Sequence, residues 1–305
     1  MCGIFGMVRS ADDPDPAWAS SVFVALGHLA QQRGHDAAGF VLVGPDRAVD
    51  ARAAVPLDPI GQRDVQVGRC RVVKDTRRWA RLWRQSHLRA LDEASVAVGH
   101  TRHASQGAPG TLVNAAPLVV GDGLIGTHNG DVDAEALRRD LAPELPLPRG
   151  ETDSEALLLA LDRVRGDPAA VCDVLSTVQG LAALAWLDRH APDLVFLARA
   201  ALCPLAIALD ARGNLFWASS PAWFRQLDEQ TGGRLGFEVE RVGEGTLLAI
   251  TGGGAPTIAA RRLFEPVARP GDDWRFPTIW NGLDPADVAA FQAEASHRTA
   301  QPAFL

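Results

Sequence analysis

The chain has 305 residues, 47% of them hydrophobic and 22% charged, the composition of a globular protein with room for a sizeable core. A net charge of −7 argues against a nucleic-acid partner, which wants a basic face, and no apolar run approaches the roughly 18 residues of a membrane span. The opening MCGIFGMV lacks the pattern of a signal peptide, and the wide spacing of Cys2, Cys70, Cys172 and Cys203 suits neither a metal site nor a disulfide framework, so a reducing, cytoplasmic setting is expected.

In chain order, the apolar run 3–8 predicts a short buried strand. An acidic, proline-rich turn over 12–16 leads to a helix over 17–32, with Val22, Leu26 and Leu29 on one face. RGHDAAG, 33–39, is a turn into a strand at 40–43, and 47–71 is poorly patterned. A basic helix over 79–91 precedes strands at 95–101 and 124–127. Helices over 131–141, 155–165 and 168–178 follow, the last with Pro168 in its first turn. Short apolar runs then recur at 181–187, 194–198, 205–209 and 215–218, as in an antiparallel meander. Ser220-Pro221 opens a short helix, 246–251 is a strand, and GGGAP (252–256) looks like a linker. Beyond it only 285–296 is periodic, and Trp274, Phe276 and Trp280 are available as partner anchors. Strands, then helices, then strands predict an α+β layer fold of two antiparallel sheets covered by helices.

Separate clusters carry chemistry. Cys2 follows a methionine that is normally removed before a small residue, which would put a thiol and a free α-amine on one residue. That amine, with an ordinary pKa of about 7.7–8.0, suits a built-in base. Alone, Cys2 reads as a small packing residue of the first strand. GHTRHASQG, 99–107, places Arg102 at a strand end, where a guanidinium can grip a carboxylate through two hydrogen bonds; alone it is a solvated loop. HNG, 128–130, offers an Asn amide and a Gly backbone N–H as an oxyanion hole, though Asn-Gly also favours a plain turn. GETDSEA, 150–156, opens a helix that Thr152 or Ser154 could cap, with Asp153 free to receive an ammonium.

Taken in order, MCGIFG, QRGHDAAG, GHTRHASQG, THNGD and ETDSEAL resemble the class II glutamine amidotransferases, a branch of the N-terminal-nucleophile hydrolases, over about residues 2–250. The likeness is to the glutaminase domains of amidophosphoribosyltransferase and glucosamine-6-phosphate synthase. It implies a four-layer αββα sandwich of two antiparallel sheets flanked by helices. It implies Cys2 as nucleophile, Asn129 and Gly130 as oxyanion hole, and Arg102 and Asp153 as partners of the substrate α-carboxylate and α-ammonium. His103 and Ser105 fall beside the substrate, and Arg33 joins this group through the RG of the early motif. The implied chemistry is acyl transfer through a glutamyl thioester, with no metal or cofactor. His103 and Gln106 depart from the pattern of these glutaminase domains, which carry Trp or Tyr after the arginine.

The expected organisation is an amidotransferase domain at 2–251 and a C-terminal extension of unknown role at 252–305, too short for a synthetase domain. The expected function is a free-standing glutaminase supplying ammonia to a separate synthetase or ligase subunit. The alternatives are a hydrolase of another γ-glutamyl amide and, from another class, a non-catalytic regulatory subunit. No nucleic-acid or membrane partner is expected.

Overall fold

The computed structural model describes residues 1–45, 61–141, 146–269 and 277–300. Strand β1 (Gly3–Val8) lies inside an eight-stranded sheet. On one side it pairs with β5 (Val96–Arg102), followed by β2 (Ala37–Val43), β4 (Cys70–Asp75) and β3 (Asp64–Val67). On the other come β11 (Leu215–Ala218), β10 (Ala206–Leu209) and β12 (Glu238–Arg241). The second sheet runs β14 (Thr257–Leu263), β13 (Thr246–Thr251), β9 (Ala191–Arg199), β8 (Gly180–Asp188), β7 (Leu124–Val132) and β6 (Leu118–Val120). Neighbouring strands in both sheets pair antiparallel.

Side-chain alternation explains the layers. Ile4 and Val8 of β1 enter the core between the sheets with Val41, Val98, Ile125, Ala183 and Leu197. Phe5 and Met7 point the other way, under α1 (Pro16–Ala30), α2 (Gln85–Glu93) and α6 (Pro221–Gln230), and pack with Phe23, Phe40, Trp79 and Phe224. The outer face of the second sheet packs Leu124, Ala182 and Leu184 against α3 (Ala134–Leu141), α4 (Asp153–Arg163) and α5 (Pro168–Thr177). The result is a four-layer αββα sandwich. Its central strands are buried on both faces, which is why β1 and β8 read as continuous apolar runs. Among the described residues no helix is long and apolar enough to cross a membrane.

The structure departs from the sequence expectations in several places. The helix expected over 79–91 splits into a 3-10 turn, Trp79–Arg81, and α2, because Trp79 is drawn fully into the aromatic cluster with Phe5, Phe23 and Phe40. β7 does not stop at Thr127: it pairs with β8 from Leu124↔Asp188 to Val132↔Gly180, so the HNG segment is strand. The continuous ladder overrides the turn preference of Asn-Gly. GGGAP is the connection of the β13–β14 hairpin rather than a linker between separate parts. Past it, Ile279, Trp280 and Phe291 are buried in the intersheet core, and α7 (Pro285–Ala300) follows. Part of the poorly patterned stretch, 46–60, and both Trp274 and Phe276 lie outside the described residues.

Candidate active site

Cys2 stands at the head of β1. The pairing Gly3↔Thr101 sets it beside the end of β5, and its thiol is held by a single residue. The S–H donates to the His103 carbonyl at 3.5 Å, and the His103 N–H donates to Sγ at 3.4 Å. Two glycines permit this closeness. A methyl on Gly3 would come within 2.7 Å of Thr101 Oγ1, whose hydroxyl donates to the Ala30 carbonyl at 2.8 Å. A methyl on Gly34 would come within 2.5 Å of the Arg102 carbonyl carbon and 2.7 Å of the His103 nitrogen. Burial pushes the Cys2 thiol above its ordinary 9.0, against the pull of the His103 hydrogen bond, the terminal ammonium and Arg102. In this chain that ammonium belongs to Met1, and burial lowers its pKa.

The loop after β5 forms a roof. Arg102 Nη2 donates to the carbonyls of Gln106 at 2.7 Å and Gly107 at 3.0 Å, and Nη1 donates to that of Ala108 at 3.3 Å. The Ala104 N–H donates to Asp36 at 2.8 Å. Gln106 Nε2 donates to Asp131, whose other carboxylate oxygen takes Arg269 at 2.8 Å. Beneath the roof is a cavity of about 20 Å³, lined by Cys2, His100, Arg102, His103, Ser105, Gln106, Asn114, Ala116, Leu118, His128, Gly130, Thr152, Asp153 and Ser154. That is room for about one water.

The far wall is β7 and the start of α4. Asn129 lies opposite Ala183, an intersheet core residue, so its side chain enters the same layer as Ile4. It is fully buried, and neither its Nδ2 nor its Oδ1 has a hydrogen-bond partner. A methyl on Gly130 would strike the Leu181 carbonyl oxygen and His128 Nε2, so only glycine fits there. His100 Nε2 lies 3.2 Å from the His128 carbonyl and must donate to it, which leaves Nδ1 a bare, buried acceptor without a partner. Burial pulls the His100 pKa down to about 3, so the ring stays neutral at ordinary pH. His128 Nε2 likewise donates to the Leu181 carbonyl, so Nδ1 accepts from the Ser154 hydroxyl at 3.0 Å. Asp153, the first residue of α4, accepts the Val132 N–H at 2.8 Å. Thr152 occupies the N-cap position but makes no capping bond, and its buried Oγ1 is unpartnered. Unsatisfied buried polar groups cost about 1–3 kcal/mol each and are few in native folds. Two of these groups, His100 Nδ1 and Thr152 Oγ1, belong to residues that line the cavity, and Asn129 lies between two more lining residues, His128 and Gly130.

Comparison with known proteins agrees with this geometry. No family profile matches the chain. A glutamine–fructose-6-phosphate aminotransferase of Zymomonas mobilis is 30% identical over 206 residues, 65% of this chain and 28% of the relative. The same enzyme of Leifsonia xyli is 31% identical over 234 residues, 73% of this chain and 32% of the relative. The glutamine phosphoribosylpyrophosphate amidotransferase of B. subtilis, solved with ADP and GMP, shares the fold at a TM-score of 0.61 and 19% identity, over 87% of this chain and 49% of that one. The chain belongs to the class II glutamine amidotransferases. It spans about a third of the curated relatives it matches and about half of the solved one.

Within this amidotransferase fold, Cys2, Arg102, His103, Ser105, Gly130 and Asp153 all line the cavity, and Asn129 sits between two lining residues. Arg33 does not line it. Expected among the substrate-binding side chains, it is buried on the other side of Cys2, where its Nε–H donates to the Cys2 carbonyl at 2.8 Å. His100 and His128 were given no role from the sequence, and Thr152 was read only as a helix cap, although all three stand inside the quoted motifs. Polar atoms left bare by folding distinguish His100 and Thr152, and the cavity wall distinguishes His128; a sequence pattern carries neither signal.

Proposed function

We propose that the chain hydrolyses the side-chain amide of glutamine, with Cys2 as the nucleophile. Removal of Met1 frees the Cys2 α-amine, which takes the thiol proton as sulfur attacks the amide carbon. The amide oxygen becomes an oxyanion that the Asn129 amide and Gly130 backbone N–H receive. Collapse passes the proton to the leaving nitrogen, releases ammonia and leaves a glutamyl thioester. Water then attacks the thioester, releasing glutamate and regenerating the thiol. Arg102 binds the substrate α-carboxylate and Asp153 its α-ammonium. The observation that carries the proposal is the buried, unpartnered Asn129 amide in the same layer as a thiol at the head of a central strand. The 20 Å³ cavity holds no glutamine as it stands, so the 103–108 roof lifts to admit substrate.

We place the ammonia acceptor on a synthetase unit outside the described fold, free-standing from this chain, in a cytoplasmic setting. The curated relatives are named as aminotransferases to a sugar phosphate, and about two thirds of their length has no counterpart in the matched segment. A second reading, cleavage of another γ-glutamyl amide, draws support from His103 and Gln106, which line the cavity and depart from the family pattern.

The test compares chain processed to Cys2, chain retaining Met1, and Cys2→Ala. Processed chain is expected to release ammonia from glutamine and to take a diazo-ketone glutamine analogue on Cys2 alone. Cys2→Ala is expected to do neither. The Met1 form is expected to label slowly at pH 7, because its thiol titrates above the ordinary range. Labelling at Cys70, Cys172 or Cys203, or full turnover with Met1 in place, refutes the assignment. Faster cleavage of a larger γ-glutamyl amide than of glutamine selects the second reading.

A further inference from the structure

Arg33 follows α1 and is buried to 2% exposure. Besides Cys2 O, its guanidinium donates to two carbonyls of the C-terminal segment: Asn281 O at 2.9 Å from Nη1 and Ile279 O at 3.4 Å from Nη2. Burial lowers its pKa to about 10, which still leaves it cationic at neutral pH. A buried cation is costly unless its donors are satisfied, so these carbonyls hold Arg33 where it is. The turn that offers them needs Gly282: its φ is +75°, and a methyl there would come within 2.9 Å of Arg33 Cγ and 3.0 Å of Gln32 O.

The turn is in its turn fixed to the body of the fold. Trp280 stacks on Phe291 with ring centroids 6.2 Å apart, and the Arg199 guanidinium lies 4.9 Å from the Phe291 ring centre. Arg199 Nη1 also donates to Glu294 at 3.0 Å. Near the start of α7, Asp287 accepts the Ala222 N–H at 2.8 Å and the Ser220 hydroxyl at 3.1 Å, and so caps α6 from another helix.

We propose that the C-terminal segment 279–294 is a working part of the active site. Its turn carbonyls fix Arg33, and Arg33 fixes the Cys2 carbonyl, which sets the thiol against His103. Arg33 is a positioning residue, acting through the Cys2 backbone and not on substrate. The inference rests on Cys2 being the nucleophile. Because the substrate's α-groups are bound by Arg102 and Asp153, neither of which this link touches, loosening it lowers kcat and leaves KM nearly unchanged.

The test uses full chain processed to Cys2, with Gly282→Ala, Glu294→Gln, Arg33→Met and Arg33→Lys. Val174→Ala, in the outer core far from Arg33, serves as a control for lost stability. Glutamine kcat and KM, the rate of Cys2 labelling by the diazo-ketone analogue, and the melting temperature are measured together. Gly282→Ala and Arg33→Met are expected to lower kcat by about 10- to 100-fold, with KM within about twofold and labelling slowed in step. Arg33→Lys recovers part of the loss, Glu294→Gln gives a smaller loss of the same kind, and Val174→Ala keeps its kcat at a comparable drop in melting temperature. Unchanged kcat in Gly282→Ala, or an equal fall in the Val174→Ala control, overturns the proposal. Wild-type chain that does not label at Cys2 removes the nucleophile itself and the proposal with it.

Discussion

The Asn129 side chain is fully buried between two sheets, and both of its amide atoms lack partners. Burying an amide unpaired costs about 1–3 kcal/mol in mutational series. Leucine has nearly the same shape and no polar atom to strand, and Ala183, opposite on β8, is apolar. Asn129→Leu is therefore expected to stabilise the free protein by about 1–3 kcal/mol, at about 2–4 °C of melting temperature per kcal/mol for a domain of this class. The same change removes the proposed oxyanion donor, and kcat for glutamine is expected to fall by about 10²–10³-fold. Scanning calorimetry on free protein and a steady-state ammonia assay read the two effects separately. A lower melting temperature with kcat intact would mean that the Asn129 amide is neither unpaired nor the donor. An effect confined to KM would move Asn129 from the transition state to ground-state binding.

Two further outcomes follow from the same site. The His100 pKa falls from 6.5 to about 3 on folding, so the unfolded chain takes up a proton below pH 6.5 that the folded chain refuses until near pH 3. The stability from this group is complete above pH 6.5 and declines on acidification, by about 2 kcal/mol between pH 7 and pH 5. Urea midpoints at the two pH values measure it, and His100→Gln, which keeps a side-chain N–H for the His128 carbonyl, is expected to flatten the dependence; an identical slope in the variant sinks the idea. Gln106→Ala removes the bond from the roof to Asp131. A net hydrogen bond of about 0.5–1.5 kcal/mol predicts about 2- to 12-fold faster alkylation of Cys2 by a neutral thiol reagent, and an unchanged rate means that this contact does not hold the roof down.

The central strands and the helices were legible because burial on both faces, or on one stripe, leaves an apolar run in the sequence. β12 and β14 were not, because nearly all of their residues are exposed and no alternation survives. β6, three residues long, is below the length at which a pattern can be read. At the site, the order of the motifs gathers Cys2, Arg102, Gly130 and Asp153 around one cavity. What the sequence could not show is where each side chain turns within its motif. HNG reads as a turn until the pairing with β8 is known, and Arg33 reads as a cavity residue until the C-terminal carbonyls are seen beneath it.

The position of β1 also bears on synthesis. Phe5 pairs with Ala218, and the Ser219 N–H donates to the Ile4 carbonyl at 2.9 Å, so the first strand made is flanked on one side by one of the later ones. At roughly 5–20 residues per second, β1 waits on the order of 10–40 s on the ribosome for that partner. While the fold is incomplete the Met1–Cys2 bond is accessible to an aminopeptidase; folding half-buries Met1 against the core between the sheets. In the proposed mechanism ribosome pace thus becomes a variable in exposing the Cys2 amine, because a chain that folds with Met1 still attached encloses the bond that this mechanism needs cut.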